Sequence, residues 1–161
     1  MSGADEGTYV ESTIIMTTVR AVAPFVFTFG LFVMFHGADS AGGGFQGGVL
    51  VAAAVLLLAF AFGIESTRAW LAGSLIRTAI AAGGATFAAI GLGAVALDGA
   101  FLEYVAYGVD ATGVKYGIEL VELGIGAVVS GVLVGLFFSL ASGDFEPATG
   151  VDADTEGGEE A

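Results

Sequence analysis

Four long apolar runs, separated by short stretches rich in glycine and charge, set the pattern of the chain. The first runs from about Thr13 to Phe35 and the second from Gly47 to Ile64, the latter without a single charge. The third lies between Arg77 and Asp98, again uncharged, and the fourth runs from about Tyr116 to Leu140. Each run is close to the ~20 residues that a helix needs to cross a bilayer. Connections this short leave no room for a soluble domain between them. The pattern therefore predicts an all-α integral membrane protein with four transmembrane helices. Residues 1–12 read as a polar N-terminal segment, 13–143 as the membrane domain and 144–161 as a disordered acidic tail.

Within this frame some positions stand out. Arg20, near the start of the first run, has a side chain long enough to reach the headgroups. Pro24 falls early in the same helix, where a bend is tolerable in lipid. Trp70, in the connection that holds Glu65 and Arg68, and Tyr104, Tyr107 and Tyr116, before the fourth helix, suit the aromatic belts at membrane interfaces. Ala81, Ala85, Ala89 and Gly93 recur every four residues in the third run, and Ala127, Gly131 and Gly135 do so in the fourth. Small stripes let helix backbones approach closely, which is what holds apolar helices together in lipid. Both stripes are expected to pack against other helices.

Composition agrees with the pattern. The chain is 56% hydrophobic and only 13% charged, with a mean hydropathy of +0.89. The acidic N-terminus, with Asp5, Glu6 and Glu11, lacks the basic region of a signal peptide, so none is expected. There is no cysteine and one histidine, which removes disulfide and thiolate chemistry and makes a histidine metal site improbable. Nothing in the sequence calls for a metal or another cofactor. No nucleophile stands beside a base, so the chain does not read as an enzyme. The formal net charge of -13 leaves no basic surface for nucleic acid. Many of the acids lie in the tails, including Asp144, Glu146, Asp152, Asp154, Glu156, Glu159 and Glu160. Such a surface suits a cytoplasm of high salt, where self-repulsion is screened, and a halophilic source is the expectation; an ordinary disordered acidic tail is the other reading. Arg20, Arg68 and Arg77 flank one side of the membrane and Lys115 the other. By the positive-inside rule both termini are cytoplasmic.

The chain turns around one stretch, from His36 to Gly48, that joins the first two helices. Gly42, Gly43, Gly44, Phe45, Gln46, Gly47 and Gly48 read as a tight structural turn, since glycine accepts unusual dihedrals and close approach. Gly42, Gly44 and Gly47 spell a dinucleotide-like motif, but a membrane span follows them instead of a soluble crossover helix, and the motif is rejected. His36 and Asp39 lie in the same stretch. Hydrogen bonding that fixes the loop is the simpler role for both, and a direct ion role the sharper one.

Glu119 and Glu122 are three residues apart at the start of the fourth helix and share a face with Gly126 and Ser130. A carboxylate in a membrane helix marks an ion or proton path by default. Against this, the run from Leu123 to Gly143 is uncharged and long enough to span alone, which would leave Glu122 as an interfacial group with no role. Lys115, one turn earlier, is placed to pair with Glu119. The glycine turn and the start of the fourth helix lie at one membrane face, so Glu122, Glu119, His36 and Asp39 are the ion-path candidates.

The run from Pro24 to Gly30 leading to His36-Gly37, then Asp39-Ser40 and the string Gly42 to Gly48, resembles the MnhB (MrpB) subunit of multisubunit Na+/H+ antiporters. The likeness covers the first two helices closely. It reaches the fourth more weakly, where Val121-Glu122-Leu123-Gly124-Ile125 is similar to a family segment with an acid before a glycine. Ala38 stands where the family has a second histidine and Ala41 where it has a proline, so a relay through two histidines lacks its second member here. The resemblance implies a small integral subunit of a Mrp-type antiporter in the cell membrane. Its partners would be the other membrane subunits and the bilayer, and Na+ and H+ would be the ions the complex exchanges. Similar small subunits occur in related ion-translocating redox complexes such as membrane-bound hydrogenases, which gives the alternative function. A stand-alone homo-oligomeric transporter is a third class. The scarcity of ionisable residues in the spans favours an accessory role, structural and path-lining, over a complete pathway.

Overall fold

The computed structural model describes residues 12–39 and 42–142. The acidic tail and most of the N-terminal segment lie outside the described residues, as do Ser40 and Ala41. The chain forms α1 (Thr13–Phe35), α2 (Gly44–Phe62), a short α3 (Ile64–Trp70), α4 (Gly73–Ala96), a 3₁₀ turn (Tyr104–Tyr107) and α5 (Ala111–Ala141). Four of these, α1, α2, α4 and α5, are long and apolar enough to cross a membrane, with 23, 19, 24 and 31 residues. The described residues contain no strand.

The ends of the helices follow from local chemistry. The Ser12 hydroxyl caps α1 by accepting from the Ile15 N–H at 3.5 Å, and Asp110 caps α5 by accepting from Gly113 at 2.9 Å. Pro24 is accommodated inside α1, where the Thr28 hydroxyl donates to its carbonyl at 2.8 Å. Gly63, with φ of 97°, breaks α2 from α3 in a backbone conformation that other residues rarely adopt. The connection that the charges mark out thus contains a short amphipathic helix, with Thr67 buried and Glu65 and Arg68 outward.

Two boundaries differ from the sequence reading. Helix α2 begins at Gly44, so Gly44, Phe45, Gln46, Gly47 and Gly48 belong to its first turns, and the true turn is shorter. Helix α5 begins at Ala111, so Lys115 sits on the helix and not in the connection. At the start of α2 the glycines that read as a break are used by the helix for packing.

The packing order is α1 against α2, α2 against α5, and α5 against α4. Helices α1 and α4 stand at opposite ends of this row. Each contact is made at a glycine crossing. A Cβ added to Gly30 would lie 3.0 Å from the Gly47 carbonyl oxygen, one on Gly48 would lie 2.7 Å from that of Gly126, and one on Gly124 would lie 2.9 Å from that of Gly83. Such close approach lets many weak backbone contacts accumulate, which suits helices in lipid because burial of apolar surface gives no drive there. The interior is accordingly small: Ala52 and Ala59 pack with Val134 and Phe138 between α2 and α5, and Val19 and Ala23 pack with Ala61 between α1 and α2. Large side chains such as Phe25, Phe29 and Leu136 point outward.

The two predicted stripes part company. Gly131 is buried against Ile80, with Gly135 over Ile76, so the second stripe packs on α4. Ala81, Ala85 and Ala89 are exposed, and Gly93 is half-buried under Tyr107. The face that α4 turns to α5 is instead that of Ile76, Ile80 and Gly83.

Candidate functional site: a carboxylate in a glycine cradle

Glu122 lies where the turn between α1 and α2 meets α5. Its carboxyl group occupies the space in which Cβ atoms on Gly37 and Gly43 would stand, and its backbone fills the corresponding space at Gly44. Gly37 and Gly43 leave room for the carboxyl group, and Gly44 lets the two backbones meet. The surrounding recess, about 440 Å³, is lined by Gly37, Gly42–Gln46, Glu122 and Ile125. Within it, Oε2 of Glu122 is buried and has no hydrogen-bond partner among the described residues. An unsatisfied buried carboxyl oxygen is costly, and such an atom calls for a proton, a water or a cation. The start of α2 offers compensation of another kind, since the first amides of a helix favour negative charge.

Depth follows from helix length. The 19 residues of α2 rise about 28 Å, close to the ~30 Å of the hydrocarbon core. Its first turn therefore marks one edge of the core, and Glu122, packed against Gly44, is level with that edge. The part of α5 from Ala111 to Glu122, about 16 Å of rise, extends beyond it.

The other predicted residues gather nearby in different roles. Lys115 forms an ion pair with Asp39, tying the turn to α5; the pairing with Glu119 expected from helix spacing gives way to this partner far away in sequence. Both side chains are more than half exposed, so the pair positions the turn more than it stabilises the fold. The His36 ring stacks on Phe32 with centroids 4.1 Å apart, and its Nδ1 is 3.1 Å from the Phe32 carbonyl oxygen, a contact it makes as donor in the matching tautomer. Glu119 is half-buried on the Glu122 face of α5. Ser130 donates to the Ala127 carbonyl at 3.3 Å, further along the helix. Among the described residues no three carboxylate or histidine side chains come together as a metal centre.

Two contributors escape a reading of the sequence. Tyr104 packs its ring over Gly117, and burial together with the charge of Glu122 pushes its hydroxyl pKa up, so it stays a neutral donor. Gly37 carries no sign of its role beyond standing next to His36. The other two tyrosines among the described residues divide: Tyr107 donates to the Ile90 carbonyl at 2.5 Å and closes the connection over α4, while Tyr116 is exposed.

Comparison with known proteins fits this architecture. The family described as "Domain related to MnhB subunit of Na+/H+ antiporter" matches residues 14–135. Among curated proteins, those named "Putative antiporter subunit mnhB2" from Staphylococcus aureus strains Newman and JH1 are each 38% identical over 56 residues. That match covers 34% of this chain and spans about two fifths, 40%, of each relative. The matched range takes in α2 and α4 whole and nearly all of α1 and α5, and the chain belongs to the family of domains related to the MnhB subunit of Na+/H+ antiporters.

Proposed function

We propose that this protein is an integral subunit of a Mrp-type multisubunit Na+/H+ antiporter in the cell membrane, and that it lines part of the route by which a cation or proton reaches the complex. The family match over residues 14–135 carries the first half of this reading. The unpartnered Oε2 of Glu122, in its glycine recess at the edge of the core, supports the second. A single such carboxylate is too little for a full transmembrane pathway, so the longer channel belongs to other subunits. Glu119 adds negative charge on the same face, and Asp39 with Lys115 holds the turn in register. Both termini are cytoplasmic in this reading, which puts the recess at the outer face. The protein does no bond-making chemistry of its own.

The test is assembly together with transport. Extraction in mild detergent through a tag on this chain should bring down several other membrane proteins. Deleting its gene should abolish Na+-dependent proton exchange, and returning it should restore exchange. Recovery of the chain alone, with exchange unaffected by the deletion, would defeat the proposal. Co-purification with redox-cofactor subunits would point to the related hydrogenase-type complex.

A further inference from the structure

A second recess lies at the opposite edge of the membrane domain. It is a cleft of about 530 Å³ walled by α1 on one side and α4 on the other, with α2 and α5 as its floor. The lining is apolar apart from Arg20 and Ser130, with Phe27 and Trp70 as its aromatic members. The Ser130 hydroxyl is already used on the Ala127 carbonyl.

Arg20 stands at the mouth. Its guanidinium carbon lies 5.1 Å from the centroid of Phe62, the last residue of α2. Since α2 just spans the core, Arg20 is level with the edge where headgroup phosphates lie. Among the described residues no carboxylate pairs with it. Arg68 and Arg77 belong to the elements that follow α2, α3 and α4, and three of the chain's four basic residues thus serve this end of the molecule. In a protein of net charge -13, that is a local site for an anion. Trp70, 73% exposed at the same mouth, suits the interface.

The dimensions decide between occupants. The α2 residues that line the cleft run from Leu58 to Val51, a rise of about 10 Å, and Phe62, beside Arg20 at the mouth, stands about 6 Å further out. One leaflet of the core is half of ~30 Å, about 15 Å. A partner helix crosses both leaflets and would need a groove about twice as long. The cleft therefore fits the hydrocarbon chain of one lipid. We infer that it binds an anionic phospholipid, with the phosphate on Arg20 and one chain in the cleft between α1 and α4.

The experiment uses the protein purified with its native partners in mild detergent. The complex is stripped of lipid by washing and offered dioleoyl phosphatidylglycerol or dioleoyl phosphatidylcholine, and native mass spectrometry reads the lipid retained on this subunit. Phosphatidylglycerol should be held at least tenfold better than phosphatidylcholine. Arg20→Gln should abolish that preference and Arg20→Lys should keep part of it. Ala79→Phe, which fills the cleft from α4, should reduce retention of both lipids. A photocrosslinker at Ala79 should label lipid. Equal retention of the two lipids, an unchanged preference in Arg20→Gln, or a crosslink from Ala79 to a partner protein would each overturn the inference.

Discussion

Replacing Gly48 by alanine tests how this fold is held. Helices α2 and α5 meet there, and the added Cβ would stand 2.7 Å from the Gly126 carbonyl oxygen and 3.0 Å from both the Gly126 Cα and the Val129 Cβ. An ordinary carbon–oxygen approach between helices is about 3.3–3.6 Å, so the backbones must part by roughly 0.6 Å or more at the crossing. Overpacking of this kind costs about 1–3 kcal/mol. Alanine also gains about 0.8–1.0 kcal/mol of helix propensity over glycine, which masks part of that cost. Gly84 supplies the control, because it is exposed in the middle of α4 and an added Cβ there meets nothing within 4 Å. Gly84→Ala should collect the propensity gain alone. The difference between the variants isolates the crossing, and Gly48→Ala should be less stable than Gly84→Ala by about 1–3 kcal/mol. Unfolding the isolated subunit in mixed micelles with increasing dodecyl sulfate, followed by helical circular dichroism, measures it. Equal midpoints for the two variants would refute the claim that glycine contacts hold α2 to α5.

Three further outcomes follow from other parts of the molecule. Gly131→Leu, whose side chain would collide with Ile80, should destabilise the isolated subunit in the same titration, whereas Ala85→Leu should leave it unchanged and instead lower the yield of co-purified partners, because Ala85 is exposed on α4. Asp39→Lys should loosen the turn and raise cysteine labelling at Phe45, and adding Lys115→Asp should return labelling to the wild-type level by restoring the pair in reverse. A cysteine at Ser40 should react with an impermeant reagent from outside the cell and one at Thr149 should not; the opposite result would invert the topology and leave the helix count intact.

The limits of α1 were legible because its ends have chemistry: polar Ser12 before it, and His36-Gly37 after it. The number and type of the membrane-spanning elements were legible for the same reason that membrane helices generally are, namely that twenty apolar residues have few other places to go; the short α3 and the 3₁₀ turn lack such a run and were not. What the sequence hid was direction around each helix axis. A soluble helix declares its inner face by polarity, but α4 is apolar all round, so spacing picked out the alanine stripe and gave no sign of the Gly83 face. The run Gly42–Gly48 misled in a related way. Its glycines satisfy the rules for a turn, yet most of them lie in α2, where Gly47 and Gly48 make room for α1 and α5. Glu122 was legible as a costly carboxylate, and its share of a face with Glu119 followed from spacing. That Gly37, Gly43 and Gly44 form its cradle was not, because those contacts join residues about eighty positions apart.

The central proposal stands or falls on the carboxylate in that cradle. Na+-dependent proton exchange, measured in everted membrane vesicles with Glu122→Gln and Glu122→Asp, tests it most directly, provided the amount of assembled complex is quantified in the same vesicles. Glutamine keeps the size of the side chain and removes its charge, so assembly should be normal while exchange falls well below the wild-type rate. Aspartate keeps the charge on a shorter arm and should retain part of the activity. Exchange at the wild-type rate in Glu122→Gln would contradict the proposal and leave Glu122 as a packing residue at the edge of the membrane.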